Sequence, residues 1–172
     1  MISLLASVVF FALFILQTSL FGMIGGSAPD AMLLASIYFG MRFNRYPGLQ
    51  AGILAGLLQD AASHGLLGVN LLSKGVCGLF SGWMSENHFV DWREVVTWII
   101  LIVVGTGLDQ FISDEYMSNF FGAQLYFWPE AGKWLWQTFV NLFAGMLVFS
   151  FLARMESRTA KIPGQNPLFR RS

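Results

Sequence analysis

The stretch that decides the fold is Gly48–His64, GLQAGILAGLLQDAASH. Gly48, Gly52, Gly56, Asp60 and His64 recur at every fourth position, so on a helix they form one slowly drifting stripe. The other faces carry Leu, Ile and Ala. Glycines stacked along one side of an apolar helix let a second backbone come close, which is how helices associate when lipid removes the hydrophobic drive between them. The spacing therefore predicts a packing surface of Gly48, Gly52 and Gly56 that ends in a carboxylate.

Composition says what surrounds that helix. The chain has 172 residues, of which 55% are hydrophobic and only 12% charged. An ordinary soluble domain carries about 25% charged residues. No charged residue precedes Asp30, and the single cysteine, Cys77, excludes a disulfide framework. These features predict an all-α polytopic membrane bundle of about six transmembrane helices over 1–153, followed by a basic, disordered cytoplasmic tail over 154–172.

The spans read off in order. Ile2–Phe21 is an apolar run of 20, about the length that crosses hydrocarbon. A cleaved signal would want Lys or Arg before it and a small-x-small site after it. The first is missing, and Gly26-Ser27-Ala28 runs into Pro29, so a retained helix is expected. Pro29 and Asp30 open a second helix to about Phe43. Arg42 and Arg45 close it, and Pro47 opens the glycine-striped third. Both are short, about 14 to 16 residues or roughly 21–24 Å. Two short spans and a re-entrant hairpin both remain open. Leu66–Met84, Val95–Ser113 and Leu135–Phe151 follow, and Gly78 and Gly82 continue the spacing by four in the fourth helix. Aromatic residues before the sixth, such as Trp134 and Trp136, mark an interface.

With six spans, one side receives Arg42, Arg45, Arg93, Arg154, Arg158, Lys161, Arg170 and Arg171. The other receives only Lys133, with Lys74 inside a span, so both termini are expected to be cytoplasmic. The outer loops then hold Asp30, Asp114, Glu115 and Glu130. That topology puts Gln17, Asp60, Asn70, Lys74, Asp109, Gln137 and Asn141 in one outward layer. Ionisable groups inside a membrane pair with one another, so Lys74 is expected to meet Asp60 or Asp109. Such a layer can simply fix helix register, or it can form a ligand pocket, an ion path or a partner's seat.

No set of residues for chemistry emerges. His64 has no second histidine nearby, and no nucleophile triad, phosphate loop, HExxH or paired-cysteine motif is present. The prediction is a protein without catalysis, metal or cofactor. The basic tail suits anionic lipid or a cytoplasmic partner better than nucleic acid. Tyr116, Phe120, Phe121, Tyr126, Phe127 and Trp128 form an aromatic outer segment, a candidate partner surface.

Pro29-Asp30, the basic turn Arg42 to Arg45, the helix Gly52 to Asp60 ending Gly-Leu-Leu-Gln-Asp, and Gly65, Gly68 and Asn70 beyond it come in a telling order. Together they resemble MreD, the family of bacterial rod shape-determining membrane proteins. The likeness covers the chain in length and helix order, apart from the outer segment 113–132. It implies a non-enzymatic subunit of the elongation machinery that lays down lateral peptidoglycan and sets cell shape in the cytoplasmic (inner) membrane. The implied partners are an MreC-like single-span protein and, indirectly, the MreB filament, the RodA glycosyltransferase and a class B penicillin-binding transpeptidase. It also implies a fold like the substrate-binding subunits of energy-coupling-factor transporters. The alternative reading is therefore a small-molecule or ion-binding transporter subunit.

Overall fold

The computed structural model describes residues 2–21, 28–62, 67–87, 95–121 and 127–159, over 114–121, 127–131 and 156–159 and at some positions of the first helix as backbone alone. Among the described residues all regular structure is helical: α1 (Ile2–Leu16) with a π-helical extension (Gln17–Phe21), α2 (Ala31–Phe43), α3 (Arg45–Ala62), α4 (Val69–Glu86), α5 (Val95–Phe121) and α6 (Phe127–Thr159). Segments Val95–Ser113 and Gly132–Met155 are long and apolar enough to cross a membrane; Ala6–Ser19 and Ala31–Phe43 are shorter apolar stretches.

The bundle is built around α2. Ala31 to Tyr38 are buried without a break, with Gly40 and Met41 after them, and α2 touches each of the other five helices. A helix that is apolar on every side belongs in the interior. Leu33, Leu34, Ile37 and Tyr38 pack there against Phe10 of α1, Leu101 and Ile102 of α5, and Phe149 and Leu152 of α6. Rings add directional contacts: Tyr38 lies 5.7 Å from Phe10 and 5.6 Å from Phe149, within the range of favourable aromatic pairs.

The glycine stripe lies against α4. A methyl group at Gly48 would overlap the Gly78 carbonyl, one at Gly52 the Lys74 carbonyl, and one at Gly56 the Asn70 carbonyl. On the facing side, Gly78 meets the Gly48 carbonyl and Gly82 meets Arg45. Gly40 of α2 enters the same junction, where a Cβ would strike Ser81 and lie 2.5 Å from the Gly78 carbonyl. Three helices thus share one close crossing, and Gly40 is the member that the spacing of α3 does not reveal.

Several boundaries differ from expectation. Helix α3 begins at Arg45, two residues before Pro47, because a proline in the first turn needs no backbone donor. One residue, Asn44 (φ 80°, ψ 179°), makes the whole turn from α2. Helix α4 starts at Val69 rather than Leu66, behind Gly68 at φ 103°. The segment 113–132 is mostly helix rather than loop, since α5 runs on to Phe121 and α6 starts at Phe127. Helix α6 also continues past Arg154 to Thr159, so 154–159 is not a disordered tail.

Candidate functional site

The polar residues converge on the N-terminus of α2. Asp30 caps that helix: Oδ1 accepts from the Met32 and Leu33 backbone N–H groups at 3.1 and 3.0 Å. Such a cap satisfies donors that a helix start otherwise leaves open. Its other oxygen receives Lys74 Nζ at 3.0 Å and Gln59 Nε2 at 3.5 Å. The Asp30 backbone N–H donates to Asn141 Oδ1 at 2.7 Å. One residue therefore ties α2 to α3, α4 and α6.

Lys74 is the centre of charge. Its side chain is fully buried, and its ammonium also donates to Asp109 Oδ1 at 3.2 Å and Asn70 Oδ1 at 2.8 Å. Ser73 donates to the same Asp109 oxygen. Two carboxylates and an amide take up the three donors of the ammonium. Removing one partner of such a pair costs about 3–5 kcal/mol, because the other charge stays buried.

Of the two aspartates expected to meet Lys74, Asp109 does so, while Asp60 has a different job. It does not pair with Lys74 but accepts from Gly68 N at 2.8 Å, Asn70 N at 3.2 Å, Leu71 N at 3.2 Å and Asn70 Nδ2 at 2.9 Å. Position 68 must be left-handed, so it is a glycine and has no side chain to cap α4. The carboxylate at the end of α3 caps the next helix in its place, and Asn70 links it to Lys74.

The remaining members of the expected layer join the same network. Gln17 Oε1 accepts from Ala31 N at 3.0 Å. Gln137 Nε2 donates to the Ala28 carbonyl at 2.8 Å and to Asn141 Oδ1 at 3.2 Å. Asn141 Nδ2 donates to Thr106 Oγ1 at 3.1 Å. All seven are thus brought together, and Asp30, expected to open the second helix at its outer end, is their hub. Ser73, Thr106 and Gln59 join the network as well, and no spacing in the sequence singles them out. The Pro29-Asp30 pair marks the helix start in the sequence, and the cap geometry agrees with it; that the same carboxylate also meets Lys74 is not visible there.

Beside the network lies an open cavity of about 310 Å³, lined by Asp30, Gln59, Asp109, Gln110 and Asn141, with Lys133 and Trp134 also on its wall. A larger apolar groove of about 900 Å³ runs between α1, α2 and α3, past Val8, Phe11, Phe39, Ala51 and Leu54. Among the described residues no group of three or more His, Cys, Asp or Glu could hold a metal ion. His64, Gly65 and the tail from 160 lie outside the described residues, as do the side chains of Asp114, Glu115, Tyr116, Phe120, Phe121, Phe127, Trp128 and Glu130, and the whole of Tyr126. Comparison with protein-family models, with curated proteins and with solved structures finds no match to this chain.

Proposed function

We propose that the chain is a six-span protein of the bacterial cytoplasmic membrane with both termini in the cytoplasm, and that it is a non-enzymatic organising subunit of the cell-elongation machinery, as the resemblance to MreD implies. The observation that carries this reading is an inverted polarity. Lys74, Asp60 and Asn141 are wholly or almost wholly buried and spend their hydrogen bonds inside the bundle. Meanwhile Leu54, Leu57, Val96, Val103, Phe139, Phe143 and Leu147 stand outside. A soluble monomer rarely exposes a contiguous apolar patch beyond a few hundred Å², whereas a helix in lipid needs one. Polar groups consumed in holding helices together suit a rigid frame for other proteins, with an MreC-like single-span protein as the direct partner. The test is affinity purification of the full chain at native level in mild detergent. Recovery of that partner in near-equal amount is expected; the bundle alone would overturn the reading.

A second reading is favoured by the cavity beside Asp30 and Asp109. Its volume sits at the lower end of small-molecule pockets, and it is walled by amides and carboxylates. This supports a small-solute-binding subunit of the energy-coupling-factor type. Co-purification with an ATPase pair in place of the MreC-like protein would decide for it.

A further inference from the structure

At the end of the bundle away from Asp30, a further pocket of about 320 Å³ is lined by Arg45, Val76, Leu79, Phe80 and Trp83. Val76, Leu79, Phe80 and Trp83 follow one another at helical spacing, so they make a single apolar strip about 10 Å long on α4. Val76, Leu79 and Trp83 are exposed, and the Trp83 ring stacks on Phe80 at 6.3 Å. Arg45, the first residue of α3, stands at the end of this strip. Glu86 holds it in place, taking its backbone N–H at 3.1 Å and its Nε at 3.1 Å. The guanidinium also lies over the Tyr46 ring, 5.0 Å from its centroid.

We propose that this groove holds one anionic phospholipid, with its phosphate on the Arg45 guanidinium and one acyl chain along Val76, Leu79, Phe80 and Trp83. Charge and shape argue for it together. A guanidinium fork matches phosphate oxygens in pairs, while an exposed aliphatic and aromatic strip ending at a fixed cation matches a chain attached to its headgroup. The Lys and Arg count puts this end on the cytoplasmic side, where anionic lipid is drawn to basic residues. The inference rests on the membrane reading above.

The test uses the full chain purified in detergent, with native mass spectrometry of retained dioleoyl phosphatidylglycerol against dioleoyl phosphatidylcholine. One basic contact should give the anionic lipid a preference of about fivefold. Arg45→Gln should abolish the preference, Arg45→Lys should retain part of it, and Trp83→Ala should weaken retention of both lipids. Glu86→Gln keeps the cation and removes its competitor, so it should raise retention of the anionic lipid. Equal retention of the two lipids, or a preference untouched by Arg45→Gln, overturns the site. Displacement of the lipid by millimolar inorganic phosphate means a free-anion site and overturns the lipid assignment. An alkaline carbonate wash of native membranes separates the two levels. Release of the chain sinks the membrane reading itself, whereas a retained chain without lipid preference sinks only this site.

Discussion

Lys74 shows what single residues do in this bundle. Its ammonium balances Asp30 and Asp109, so neutralising it leaves two buried carboxylates without a counter-charge. Lys74→Met should therefore lower stability by about 3 kcal/mol or more, read as loss of folded protein in a detergent thermal-shift assay. Adding Asp109→Asn should recover part of the loss, because one unpaired charge goes with it. Lys74→Met combined with Asp60→Asn should come much closer to additivity, since Asn70 stands between those two side chains. Position 68 tests backbone in place of charge. A Cβ there would touch nothing, yet φ is 103°, so Gly68→Ala should cost about 1 kcal/mol through strain alone.

At the scale of elements, the α3–α4 crossing depends on the absence of side chains at particular positions. Gly52→Ala drives a methyl into the Lys74 carbonyl, and backbone cannot move aside as a flexible side chain can. Gly75, one residue further along α4, has only the Ile53 and Leu49 side chains at 3.5 and 3.6 Å, which is ordinary contact. We expect Gly52→Ala to cost about 1–3 kcal/mol and Gly75→Ala to be nearly neutral, measured as unfolding midpoints of the two variants side by side. Helix propensity alone favours alanine at both positions, so equal midpoints for the two variants would mean that close approach at Gly52 carries no cost. The same crossing carries the polar network, because the backbone proximity at Gly52 and Gly56 sets Asp60 against the first turn of α4.

For the whole molecule, the proposed topology makes a simple prediction. Cys77 is the single cysteine and is buried, so Cys77→Ser provides a background for one new cysteine at a time. Cysteines placed at either terminus should react with an impermeant maleimide only after the cells are opened. One placed beside Lys133 should react in cells whose cytoplasmic membrane is intact. Labelling of a terminus from outside would reverse the orientation read from the Lys and Arg bias.

Periodicity and composition alone determined that the chain is helical, where its apolar segments lie, and that Gly48, Gly52 and Gly56 form one face. These are local properties, set by the 3.6-residue turn and by hydropathy along a single segment. The tertiary structure alone decided which helix is central, and it is α2, not the glycine-striped α3. It alone decided partners as well: Asp30 and Asp109 for Lys74, the α4 amides for Asp60. Partner choice depends on the rotation and depth of helices far apart in sequence, and no residue spacing within one helix encodes the position of another.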